Sequence, residues 1–339
     1  MGGKSITIKK TLTYLGIILD YRLSWEPHID HITKRTGLIF QAFTKVARGT
    51  WGLSFDALET IYNQLFIPII TYACGCWGWA SNKTHPKCKL TSAQRKALIP
   101  LTKAYKTTSY LQVLARKPPI ELHIQFYSQL SCLKWGNNIH LTRDTILTSE
   151  FESEPPFSLS PSPSIPHINI IYNTDYNGIL IFTDGSKNGS NVGCSFVVLL
   201  NNNEIHHSTF RLGVYTTIFQ AELFAILMAL TWANTQYQSS YITIISDSAS
   251  SLAVINSSQL HPLSIRIKNL IMTSSNKYSL MWTKAHHGLA GNERADALAK
   301  AAANNSQLEI SYNKVSLTTV KRLLWREVLD IWQNKWNRE

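Results

Sequence analysis

Gly178-Ile179-Leu180-Ile181-Phe182-Thr183-Asp184-Gly185-Ser186-Lys187 is the stretch from which the fold can be read. Four apolar residues run together, followed by Thr183, a carboxylate and a glycine. An apolar run of this length suits a central strand covered on both faces. The pattern places a strand at residues 179–183, with Asp184 where it ends. Strand ends beside a topological switch are where open α/β sheets bind ligands. Asp-Gly after a strand is equally the sequence of a hairpin turn, so the stretch alone does not decide the role of Asp184.

Working outward, residues 192–200 and 204–211 read as two further strands, turned at Asn201-Asn202-Asn203. The three form an antiparallel meander. A long helix is expected over 217–234 and a strand over 241–246. Helices follow over 248–256 and 263–274, a strand over 279–284 and a last helix over 290–303. This order implies one mixed sheet with helices packed on its faces.

The acids of this α/β region fall at informative places. Residues 221–233 are apolar nearly all round, and Glu222 is their only charge. A buried carboxylate without a partner is costly, so Glu222 must be neutralised, paired or bound to a metal. A first-turn acid favouring the helix dipole is the plainer alternative. Asp247 closes a second apolar strand and precedes a helix, which also describes an N-cap. Asp296 lies in the last helix, where a solvated face would account for it. Together the acids are harder to explain singly. If the two strands are neighbours, Asp184 and Asp247 converge and Glu222 can reach them. Carboxylates that close cannot all stay ionised without cations. Oxygen-only ligands suit Mg²⁺ or Mn²⁺. Two such ions, about 3.5–4 Å apart, serve phosphodiester hydrolysis.

These residues carry a resemblance. Phe-Thr-Asp184-Gly-Ser, Gln-Ala-Glu222-Leu, Ile-Ser-Asp247-Ser, Trp282-Thr-Lys-Ala-His286-His287-Gly288 and Gly291-Asn292-Glu293-Arg294-Ala295-Asp296 stand in the order of a type 1 ribonuclease H domain. The region resembles the ribonuclease H of non-LTR (LINE-type) retrotransposon reverse transcriptases. The resemblance implies an α/β, ribonuclease H-like mixed sheet over residues 178–303. It implies that Asp184, Glu222, Asp247 and Asp296 hold two Mg²⁺ ions, with Mn²⁺ possible, and that the RNA strand of RNA–DNA hybrids is cut. His286 is implied as the histidine of the motif, acting in proton transfer or product release, with His287 as the alternative register. Ser186 and Ser248, each near a catalytic acid, are candidates for contacting the sugar or the scissile phosphate.

The front of the chain differs in kind. Residues 1–143 carry 19 Lys/Arg against 6 Asp/Glu, whereas residues 180–339 carry 14 against 10. Such a basic half is an electrostatic case for a polyanionic partner, nucleic acid above all. A strand pair is expected within residues 7–20, and helices over 27–47, 55–67, 90–104, 107–115 and 120–138, the second ending before Pro68. Tyr14-Leu15-Gly16-Ile17-Ile18-Leu19-Asp20, Trp25 and His28-Ile29 resemble the segment after the polymerase palm of the same reverse transcriptases. Residues 68–79 and 94–98 look like their thumb and connection. No Asp-Asp pair of a polymerase palm occurs, so no polymerase activity is expected and the chain reads as the C-terminal piece of a larger element protein.

Residues 144–177 are acidic and rich in Pro and Ser, and read as a flexible linker. Residues 304–339 read as a helical tail packing on its own domain. Cys74, Cys76, His85 and Cys88 match no zinc spacing, and five irregular cysteines point to reduced thiols inside the cell, nucleus or cytoplasm. No secretory signal opens the chain. Residues 61–82 lack charge but are interrupted by Asn63, Gln64, Pro68, Gly75 and Gly78, which fits a buried helix and turn better than a membrane span. A non-cleaving nucleic-acid-binding remnant is the competing reading.

Overall fold

A computed structural model of the chain describes residues 9–46, 53–142, 144–153, 170–171, 178–259, 261–284 and 288–338. The chain divides into two compact units, Met1–Thr148 with Lys321–Glu339, and Ser149–Val320.

The first unit opens with an antiparallel hairpin, β1 (Thr11–Tyr14) and β2 (Ile17–Asp20). Helices α1 (Glu26–Val46), α2 (Phe55–Ile61), α3 (Ile67–Thr71), α4 (Cys74–Trp77), α5 (Thr84–Thr102), α6 (Thr108–Leu114) and α7 (Ile120–Lys134) follow. A short ribbon, β3 (Ile139–His140) with β4 (Thr145–Ile146), comes next. Pro68 does not stop the second helix as expected. One π turn, Tyr62–Phe66, carries α2 into α3, and Pro68 falls in the first turn of α3, where a missing N–H costs little. Tyr62, Phe66, Trp77, Leu90 and Leu98 are fully buried in the core of this unit.

The second unit comprises β5 (Ile170–Ile171), β6 (Ile179–Asn188), β7 (Asn191–Leu200), β8 (Asn203–Leu212), α8 (Ile218–Gln236), β9 (Tyr241–Ser246), α9 (Ala249–Asn256), α10 (Pro262–Thr273), β10 (Lys277–Trp282), α11 (Ala290–Asn304) and β11 (Ile310–Tyr312). Its strands form one mixed sheet in the order β11-β8-β7-β6-β9-β10-β5. The β6–β7–β8 meander is antiparallel, while β6–β9 and β9–β10 are parallel. The fold is the expected ribonuclease H-like α/β sheet.

One expectation changes in a way that matters. β6 does not end at Asp184 but continues to Asn188, and Asp184 pairs with Ser195 of β7. The hairpin turn lies beyond Asn188, at Gly189, whose φ is +60°. What stops near Asp184 is the parallel partner, since the last β6–β9 pair is Thr183 with Ser246. Asp184 thus sits inside a strand but at the end of a ladder.

Two edge strands were not expected. Ile170–Ile171 pairs with Leu280 and Met281, and Ile310–Tyr312 pairs with β8. The first lies in the stretch read as linker. At the other end of that stretch, Phe151 bridges to Val315, and Glu152 accepts hydrogen bonds from Gln220 Nε2 (2.7 Å) and the Tyr312 hydroxyl. The tail expectation is corrected as well. Helix α12 (Leu317–Trp336) from Lys321 onward belongs to the first unit, where Trp325 packs its ring against His123 and Phe126 at 5.1 and 5.5 Å. Six apolar positions at helical spacing announce a buried face but not which core receives it.

Helix α8 is long and apolar enough to cross a membrane, yet Leu223, Ala225, Ile226, Leu227 and Leu230 are buried in the sheet's core. Two glycines bring helices down onto opposite faces of the sheet. A Cβ at Gly185 would stand 2.8 Å from the backbone nitrogen of Glu222 in α8, and one at Gly193 would strike the backbone of α11 at Ala299 and Ala303.

Candidate metal centre

The register of two strands and the start of one helix build the site. One residue beyond the last parallel pair, Asp184 and Asp247 stand side by side. Thr217 caps α8 through a capping box with Gln220, which puts Glu222 past the first turn. The dipole account of Glu222 therefore fails, because that effect fades within the first turn. Gly185 lets the helix close on the strand until Glu222 reaches the two aspartates. One carboxylate oxygen from each of Asp184, Glu222 and Asp247 lies within 4.8 Å of the others.

The electrostatics follow from this crowding. Burial, then the charges of Asp247 and Asp296, push the Asp184 carboxyl up to about 7. Burial, then Asp184 and Asp247, push Glu222 well above the carboxylate range, with the Gly185 backbone N–H pulling the other way. Asp184 Oδ2 and Glu222 Oε2 are buried and accept no hydrogen bond. Buried lone pairs without a donor are the exception in folded proteins. Two of them on acids of one three-acid cluster fit a hard divalent cation, whose preferred ligands are carboxylate oxygens.

Residues 176–304 match the RNase H family. Residues 176–304 are a ribonuclease H domain. A retrovirus-related Pol polyprotein from a type-1 retrotransposable element of Nasonia vitripennis is 34% identical over 127 residues, 37% of this chain and 32% of that protein. A putative 115 kDa protein in a type-1 retrotransposable element of Drosophila melanogaster is 29% identical over 136 residues, 40% of this chain and 13% of that protein. The domain is thus similar to those of LINE-type retroelements, and the chain spans about a third or less of the length of these relatives. The solved structure of ribonuclease H1 from Halobacterium salinarum aligns at 23% identity and TM-score 0.32, over 37% of this chain and 97% of that one.

The other candidates of the ribonuclease H domain fall in different places. Asp296 is not among the three clustered acids. It is half-buried and bonded to Lys300 Nζ at 2.7 Å, four residues along α11, while its charge still raises Asp184. Ser186, two residues beyond Asp184 on β6, is half-buried on the same face of the strand. Ser248, not Asp247, is the N-cap of α9. Its oxygen accepts from Ser251 N–H at 3.4 Å and its hydroxyl donates to Ser251 Oγ at 2.8 Å. The Asp247 carboxylate is left out of the capping. His286 and His287 lie outside the described residues.

Three supporting residues were not singled out from the sequence. Trp282 Nε1 donates to the Asp247 backbone oxygen at 3.0 Å. Asn292 Nδ2 reaches Asp247 Oδ2 at 3.4 Å, and its own Oδ1 is buried without a partner. Buried Ser195 donates to the Ala295 carbonyl at 2.7 Å and ties α11 to β7 one residue before Asp296. Only the Gly-Asn-Glu opening of the last helix hinted at Asn292. Nothing local marks Ser195, which matters because it pairs with Asp184 across the sheet. Among the described residues no cluster of three or more ligands includes Cys or His; Cys74 is buried, and Cys76 and Cys88 are exposed.

Proposed function

We propose that this ribonuclease H domain hydrolyses the RNA strand of RNA–DNA hybrids with two divalent cations, Mg²⁺ or Mn²⁺. The observation that carries the reading is the three-acid cluster with its two buried, unpartnered oxygens. Asp184, Glu222 and Asp247 would hold the metal, with Asp296 as a fourth carboxylate beside them. When bound, such ions supply a nucleophilic water at neutral pH and stabilise the leaving oxygen. The chain's own residues do the rest. Asn292 and Trp282 orient Asp247, and Gly185 sets the depth of Glu222. Ser186 would meet a sugar or phosphate, and His286 would carry a proton or speed release. A hybrid differs from duplex DNA by the 2′-hydroxyls of one strand, the handle by which RNA is told from DNA.

Charge favours the other unit for the grip on the substrate. Ser149–Val320 carries 9 Lys/Arg against 11 Asp/Glu, and the remainder of the chain 24 against 10. A net-acidic nuclease unit has little long-range attraction for a polyanion, so the basic unit, read as a thumb-and-connection region, is proposed to hold nucleic acid. Five unbridged cysteines accord with a reducing, intracellular location, nuclear or cytoplasmic.

The test is incubation of the full chain with end-labelled RNA–DNA hybrid, in Mg²⁺ or in EDTA. Cleavage of the RNA strand in Mg²⁺ alone is expected. Binding without cleavage in either would favour the inactive remnant.

A further inference from the structure

The helical unit holds a groove that the nuclease reading does not use. One cavity, of about 480 Å³, is walled by α5, α6, the start of α7 and the last turns of α12. Lys87, Thr91 and Thr108 also line a second cavity, of about 580 Å³, that reaches along α5 as far as Arg95. The two make one channel.

Its lining is basic and hydroxyl-rich. Lys87, Arg95, Lys335 and Arg338 contribute cations, and Thr91, Thr108 and Ser109 contribute hydroxyls. Glu121 is the one carboxylate in the lining, 3.1 Å from Lys335 Nζ and 3.7 Å from Lys87 Nζ. A single acid between two lysines leaves the channel with an excess of positive charge. Its aromatic wall is Trp332 and Trp336, both half-buried, and Tyr110 meets the Trp336 ring edge-on at 5.4 Å. Trp325, seated against His123 and Phe126, holds this stretch of α12 in place.

Cations that follow a channel attract a phosphate backbone, and ring faces inside it accept bases by stacking. A paired duplex keeps its base faces covered and offers only phosphates. We propose that this channel binds single-stranded nucleic acid, with Trp336 as a stacking platform and Lys87 and Arg338 on phosphates. The inference is independent of whether the acid cluster cuts hybrids, because the two features lie in different units.

The experiment measures fluorescence anisotropy of end-labelled RNA and DNA strands of about twelve nucleotides, within the span such channels cover. It uses the full chain in EDTA at several salt concentrations, with the matching duplexes alongside. The absence of divalent cation makes the assay blind to cleavage. Trp336→Ala should weaken single-strand binding about tenfold or more while changing duplex binding little. The double variant Lys87→Gln/Arg338→Gln should flatten the slope of log K against log salt by about 1.4, at roughly 0.7 per phosphate of a single strand. Both charged residues are exposed, so this variant carries the test should Trp336→Ala fail to fold. A tighter hold on RNA or on DNA identifies which strand the channel serves. Single-strand binding by the double variant with unchanged affinity and slope would overturn the proposal, as would equal losses on duplex and single strand in Trp336→Ala.

Discussion

Asp184 concentrates the chemistry and the instability of the site in one residue. Its carboxyl, ordinarily near 3.8, is raised to about 7 by burial and by Asp247 and Asp296. In the metal-free protein the native state therefore keeps a proton that the unfolded chain releases. Between about pH 4 and about pH 7 the unfolded state binds fewer protons, so stability falls as pH rises through that window and is level above it. Asp184→Asn removes this titration. In EDTA, the melting temperature of the variant should gain on the wild type from pH 5 to pH 8. A gap independent of pH would refute the burial of an uncompensated acid. The same variant should cut hybrids at least about a hundredfold more slowly, on the scale of losing a principal charge-stabilising group. Full cleavage by a folded Asp184→Asn would end the two-metal reading. His286→Ala should lower turnover more than hybrid affinity, since its proposed role is in proton handling or release. If His287→Ala is instead the slow enzyme, the register of that motif shifts by one.

At the scale of elements, the site exists because helices come close to the sheet. Gly193 admits the α11 backbone, and no side chain can rotate away to make room for a methyl there. Gly193→Ala should cost roughly 1–3 kcal/mol, the usual penalty of overpacking. Gly37 gives the opposite case. It lies within α1 with nothing within 4 Å of an added Cβ, so Gly37→Ala should stabilise by roughly 0.4–1 kcal/mol. Urea unfolding of the two variants reads both signs, and a stable Gly193→Ala would mean α11 packs less closely than described.

Across the whole molecule, the two units differ in the buried groups that titrate, Asp184 in one and His28 and His123 in the other. Among the described residues, the sheet's core clusters run between Ile179 and Tyr312, and one cluster of the helical core runs between Ile17 and Ile124. Residues 149–320 should therefore fold alone and cut hybrids with Mg²⁺. They should also bind hybrids more weakly and with a shallower salt dependence, each lost phosphate contact removing about 0.9 from the slope. Equal slopes for this fragment and the full chain would assign the basic unit to another partner. In the helical unit, burial holds His28 and His123 down to about 4. The unfolded chain takes up those protons from about pH 6.5 downward, so this unit loses stability as pH falls from there to about 4. An acid titration should show the helical unit unfolding first, by the burial of Trp25 and Trp77 beside His28. A nuclease unit that opens first would contradict it.

Local pattern alone determined a good deal. The apolar runs ending in Asp184 and Asp247, the charge isolated at Glu222 and the Asn turn of the meander are short-range signals, because period and turn chemistry act over a few residues. They were enough for the meander, the alternating helices and strands, and a set of four acids worth joining, of which three cluster and Asp296 stands apart. Tertiary structure decided what depends on partners distant in the chain. The β7 ladder carried β6 past Asp184, overriding an Asp-Gly that reads locally as a turn. Ile170–Ile171 and Ile310–Tyr312 are too short to declare themselves and are strands only because an edge was open to pair them. The apolar face of α12 found its place against the helical unit rather than the sheet that precedes it. Ser195 carries no signal of its own, and Asn292 only its place in the Gly-Asn-Glu opening of α11. Their roles arise from register and helix approach, which are sums over many contacts and are written in no single segment.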